Sequence, residues 1–136
     1  MLTCIYNNSG DGKMKYVYNK LVRDKIPEEI NKIKGRKCTY RILDEKEYLE
    51  ELDKKLFEEA HEFVEQHSVE ELADLAEVIL AIMKAENITI KEVENARRIK
   101  KDKKGIFKDK IYLIDVEEEE RNEIEEKELN KEWRNK

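Results

Sequence analysis

Two stretches of the chain repeat apolar residues at helical spacing. In Leu49–Gln66 they are Leu49, Leu52, Leu56, Ala60 and Phe63, and in Val69–Met83 they are Leu72, Leu75, Ala76, Val78, Ile79, Ile82 and Met83. At about 100° per residue each set gathers on one face, which predicts two amphipathic helices. Asp44 opens the first helix, with Glu47 completing a capping box, and the helix runs to roughly Glu65. Ser68 opens the second, which ends near Glu86-Asn87. Thr89 and Glu92 form the opening of a third long helix, with Ile88 and Val93 placed as a hydrophobic staple. A short helix from about Pro27 to Lys34 precedes them, with the proline in its first turn and Gly35 at its end. Cys38–Leu43 and Ile111–Ile114 are β-prone and read as two short strands able to pair. The expected fold is all-α, a helical bundle with a small two-stranded β piece.

Polar residues interrupt the two long stripes at matching places. Glu59 falls between Tyr48 and Leu52 on the apolar face, with Glu62 roughly 60° to one side. Glu71 projects between Val78 and Ile82, with Asp74 about 60° to the same side. A carboxylate turned toward a core costs several kcal/mol unless something compensates it. The bare spacing means little here, because Glu47/Glu50, Glu62/Glu65, Glu117/Glu120 and Glu123/Glu126 share it. Rotation against the stripe is what separates Glu59/Glu62 and Glu71/Asp74 from those solvated pairs. Glu71 also has a second role open to it, as the last residue of the Ser68 capping box. If the four acids hold a metal, carboxylate oxygens without His or Cys favour Mg²⁺, with Mn²⁺ the alternative, over zinc.

A cationic stripe follows. On the third helix Ile90 and Val93 mark the inward side, and Arg97, Lys100 and Lys104 continue it within about 60° of one another. Cations on such a face need anions opposite them. Direct pairing with the acids or the acidic tail, and a clamp on phosphate groups, both fit. Other motifs fail on spacing: Glu58-x-x-His61 lacks the second such pair of a di-iron set. His61 turns away from the stripe, and His61-Glu62 has no histidine at zinc-protease spacing. No phosphate-binding glycine loop or nucleophile elbow is present.

Composition narrows the picture further. Charged residues make up 45% of the 136 and Pro27 is the only proline, which suits one helix-rich domain and disfavours a β-sandwich. Ten acids against five bases from Asp115 to Lys136 account for the whole formal net charge of −5, so the remainder is neutral. That balance does not favour nucleic-acid binding but allows a local anion site. Cys4 and Cys38 have no metal or CxxC spacing, and no signal peptide or membrane-length apolar run is seen, so a cytoplasmic protein with reduced thiols is expected. Residues 1–15 read as a flexible leader, 16–116 as the domain, and 117–136 as a charged helical or disordered tail in which Trp133 is a local packing anchor.

The stretch Tyr18-Asn19-Lys20-Leu21-Val22-Arg23-Asp24-Lys25-Ile26-Pro27 resembles the opening signature of the phosphoribosyl-ATP pyrophosphohydrolase-like proteins, a branch of the MazG-type all-α nucleotide pyrophosphohydrolases. Glu58-Glu59-Ala60-His61-Glu62, followed by Glu71-Leu72-Ala73-Asp74, is similar to that superfamily's acidic metal motif. The resemblance implies a domain completed by homo-oligomerisation, as a dimer or tetramer. It also implies Mg²⁺-dependent splitting of a nucleotide into monophosphate and pyrophosphate. Glu59, Glu62, Glu71 and Asp74 would then be the catalytic metal ligands, with Glu58 and Glu77 as outlying acids. Arg97, Lys100 and Lys104 would bind phosphate, with further contacts from Lys20, Arg23 and Lys25, although Arg23 and Asp24 also fit a structural ion pair. Lys104-Gly105-Ile106-Phe107 departs from the family's R-G-G-F turn, removing a guanidinium fork and a glycine. Three other readings stay open: a non-catalytic nucleotide-sensing or protein-interaction module, a structural protein whose acids and bases merely pair, and the phosphoribosyl-ATP enzyme of histidine biosynthesis.

Overall fold

The computed structural model describes Gly10, residues 12–120 and residues 123–134. Among these it contains five helices: α1 (Ile26–Asn31), α2 (Glu45–Glu65), α3 (Val69–Ala85), α4 (Ile90–Lys104) and α5 (Glu123–Arg134). The fold is mostly helical, and no described helix is long and apolar enough to cross a membrane. Cys4, most of the proposed leader and the Trp133 side chain lie outside what is described.

Capping chemistry fixes the long helices where the sequence places them. Asp44 accepts the Glu47 N–H at 2.8 Å, and Ser68 Oγ accepts the Glu71 N–H at 3.2 Å. The Glu47 carboxylate is engaged by Arg41 at 2.6 Å. Thr89 makes the full reciprocal box: its hydroxyl accepts the Glu92 N–H at 3.1 Å, and Glu92 Oε2 accepts the Thr89 N–H at 2.7 Å. α3 ends in a Schellman motif, with Asn87 left-handed at φ 57° and the Ile88 N–H reaching the Met83 carbonyl at 2.8 Å. Asparagine tolerates that conformation better than most side chains, which is why the helix stops there.

The chain divides into two compact units, Met1–Ala96 and Arg97–Lys136, with the boundary inside α4. In the first unit the main packing is α2 along α3, joined by the short Gln66–Ser68 connection that sets them antiparallel. Their contact buries Leu52, Val78 and Met83, the only buried apolar side chains among the described residues. Leu49, Leu56, Ala60 and Phe63 of α2 and Leu75 and Ile82 of α3 flank that seam, partly covered. Leu72, Ile79 and Leu80 of α3 stay exposed.

Two local expectations differ from the structure. α1 ends at Asn31 rather than near Lys34, because the next bonds tighten to three-residue turns: Ile33 N–H to Ile30 O and Arg36 N–H to Ile33 O, each at 3.1 Å. Cys38–Leu43 and Ile111–Ile114 run without regular structure, and no strand occurs among the described residues. Neither segment has a ladder partner there, and Ile42 is 85% exposed.

Candidate functional site

The site grows from the register of two capped helices. Ser68 fixes the start of α3, so Glu71 and Asp74 project from its first two turns toward the middle of α2. There Glu59 stands 13% exposed on the edge of the packed seam. One carboxylate oxygen from each of Glu59, Glu71 and Asp74 lies within 4.8 Å of the other two. Of the two roles foreseen for Glu71, only one is taken by its side chain: Ser68 caps the Glu71 backbone N–H, but the Ser68 N–H turns to the Gln66 carbonyl, so the box is not closed and the Glu71 carboxylate joins the acids. Glu62 is exposed and outside this three-oxygen group, although its charge reaches Glu71.

The electrostatics are uneven. Partial burial, then the charges of Asp74, Glu62, Glu59 and Glu70, push the Glu71 carboxyl above its ordinary value. Asp74 is countered by Arg23 at 2.7 Å and Glu59 by Lys55 at 3.3 Å. Arg23 thus finds its acid 51 residues along the chain on α3, in place of its neighbour Asp24. All three acids are half-buried, and their oxygens make a donor set that a divalent cation would fit.

Lys55 is the residue that sequence reasoning missed. Its side chain is 16% exposed, and its ammonium lies 3.4 Å from Glu58 and 3.3 Å from Glu59. The signal was available, because Lys55 precedes Glu59 by one helical turn and lies only about 60° from Leu52 on the wheel. Glu58 is also held by Lys20 at 3.3 Å. Burial works against its charge, but Lys55 and Lys20 outweigh this and hold the carboxyl below its ordinary value. Glu77 is exposed, and His61 sits on the surface, 3.1 Å from Glu65. His67 lies in the inter-helix turn against the Phe63 ring.

Beside the acids is an open cleft of about 180 Å³, bounded by Tyr18–Leu21 on one side and by Glu51, Lys54, Lys55 and Glu58 of α2 on the other. Lys20 therefore stands in a cavity adjoining the acidic group, and Arg23 stands on the acidic group itself. Arg97, Lys100 and Lys104 belong to α4 within the second unit, all three exposed. No known protein family, curated protein or solved structure matches the chain.

Proposed function

We propose that the chain is a Mg²⁺-dependent nucleotide pyrophosphohydrolase of MazG-like type. The observation that carries this reading is the convergence of three carboxylate oxygens, from two helices, within 4.8 Å at the edge of a packed seam. An all-oxygen donor set of that size fits a hard divalent cation, Mg²⁺ or Mn²⁺. Glu59, Glu71 and Asp74 would hold it, with Glu62 next in reach. Such an ion neutralises phosphate charge and makes water a better nucleophile. The remaining work falls to the protein's own cations. Lys20 and Arg23 flank the acids and are available to orient the phosphate chain, and Arg97, Lys100 and Lys104 of the second unit are further phosphate-binding candidates. The substrate is a nucleotide, cut into a monophosphate and pyrophosphate in the cytoplasm.

The same reading supplies a use for the exposed apolar surface. Leu72, Ile79 and Leu80 are exposed apolar side chains of α3 that a second copy of the chain would cover, giving a homo-oligomer. The β-prone segments would gain their ladder partners in that assembly.

A second reading is favoured by one specific observation. Two of the three acids already have ion-pair partners, Arg23 and Lys55, as expected of an interaction module whose charges are purely structural. The discriminating experiment measures monophosphate and pyrophosphate release over a panel of nucleotides with Mg²⁺. The enzyme reading expects turnover of at least one nucleotide, reduced at least about a hundredfold in Glu59→Gln and Glu71→Gln. Inert wild type, or variants as active as wild type, would leave the module reading standing.

A further inference from the structure

The cleft beside the acids contains more cation than it needs for itself. Lys20, Lys54 and Lys55 line it together with only two carboxylates, Glu51 and Glu58. Lys54 is held firmly by Glu51 at 2.9 Å. Lys20 and Lys55 share Glu58 at 3.3 and 3.4 Å, and Lys55 reaches beyond the cleft to Glu59 at 3.3 Å. A good charge-assisted N–H···O bond is about 2.7–2.9 Å. Lys55 is therefore shared among acids rather than locked to one. Being mostly covered, its ammonium has three destinations in reach: Glu58, Glu59 or the cleft. At about 180 Å³ the open cleft has room for a phosphoryl group with part of its hydration.

We propose that this cleft seats an anionic phosphoryl group, and that Lys55 couples its occupancy to the acidic group. Without a divalent cation, Lys55 is drawn to Glu59 and the positive charge of the cleft is spent. When a cation takes over Glu59, the Lys55 ammonium turns back into the cleft beside Lys20 and Lys54. Metal and anion then reinforce each other, and the effect is reciprocal. The coupling rests on the metal reading of Glu59, Glu71 and Asp74; the cleft assignment does not. Lys55 acts here as a positioning residue whose charge is switched between two sites.

The test is a titration of the full, isotope-labelled chain with inorganic phosphate, followed by backbone amide NMR shifts with and without saturating MgCl₂. Sodium chloride holds the ionic strength constant. Phosphate should move the amides of Asn19, Lys20 and Lys55 saturably, and Mg²⁺ should lower its Kd by about fivefold or more. Lys55→Met should abolish that Mg²⁺ effect while binding Mg²⁺ alone more tightly, and Lys55→Arg should keep it. Lys20→Met, which leaves Glu59 untouched, should weaken phosphate binding with or without Mg²⁺. Phosphate shifts confined to the Arg97–Lys104 amides, or a wild-type Mg²⁺ effect in Lys55→Met, overturn the proposal. If Mg²⁺ leaves the signals of Glu59, Glu71 and Asp74 unmoved while phosphate saturates the cleft, the metal reading and the coupling fall and the cleft stands. If Mg²⁺ binds but phosphate ignores the cleft, the cleft falls and the metal reading stands.

Discussion

Asp74→Asn separates an acid that binds a cation from an acid that merely pairs with arginine. The substitution keeps size and shape and removes one charge. It breaks the ion pair with Arg23, whose side chain is 57% exposed against 41% for Asp74. At that exposure the pair contributes about 0.2–1 kcal/mol. Removing Asp74 also relieves its repulsion of Glu59 and Glu71, so the metal-free variant should unfold within about 1 kcal/mol of wild type. The metal-dependent part behaves differently. At a Mg²⁺ concentration a hundred times its Kd, wild type gains about 2.7 kcal/mol, and a variant binding a hundredfold more weakly gains only about 0.4 kcal/mol. Urea unfolding followed by helical circular dichroism reads this as a midpoint shift of roughly 1–2.5 M in wild type, against little in the variant. Sodium chloride of equal ionic strength is the control. An equal Mg²⁺ shift in Asp74→Asn, or no shift in wild type beyond that of sodium chloride, would refute the reasoning.

Three further outcomes follow from particular side chains. Glu71→Gln should unfold at higher urea than wild type at pH 7 in chelator, because its crowded carboxylate is held above its ordinary value and its charge opposes folding. That advantage should shrink as pH falls through the raised folded value, where the wild-type carboxyl protonates and loses the same repulsion. Glu58 runs the other way. Its folded value lies below 4.5, so its contribution is complete above that pH and is lost as pH falls through the folded value. Glu58→Gln should therefore flatten the acid side of the stability profile, seen in urea midpoints between neutral and acid pH. Leu52→Ala, at a side chain 2% exposed, should cost about 2–5 kcal/mol, whereas Phe57→Ala, at 76% exposure, should move urea stability by about 0.5 kcal/mol or less unless an oligomer covers it.

What was legible in the sequence was local. Asp44, Ser68 and Thr89 cap the three long helices because an N-cap needs only residues within one turn. The inward rotation of Glu59 and Glu71 was legible for the same reason, since a helix fixes the angle between an acid and its apolar neighbours. The end of α1 and the proposed strands were harder, because each depends on what the segment packs against. Cys38–Leu43 has β-prone composition, yet a strand exists only as one side of a ladder. The Arg23–Asp74 pair joins residues 51 apart, and no periodicity connects them.

Lys55 marks a different gap, one of interpretation rather than distance. A lysine one turn before a glutamate is ordinarily a solvated helix pair contributing a few tenths of a kcal/mol. Here the same spacing lies against the seam, and coverage changes what the pair does. Of the three acids, Asp74 and Glu59 each have a cation from outside the group, while Glu71 has no ion pair among the described residues. The protein thus tolerates one carboxylate whose charge its own side chains leave unbalanced, within 4.8 Å of the other two. A purely structural network would be more stable with glutamine at that position, as buried or crowded charges usually are once replaced by a neutral isostere. Keeping the acid makes physical sense where the missing charge arrives with a ligand, and the stability of Glu71→Gln measured beside its Mg²⁺ response puts both halves of that trade in one experiment.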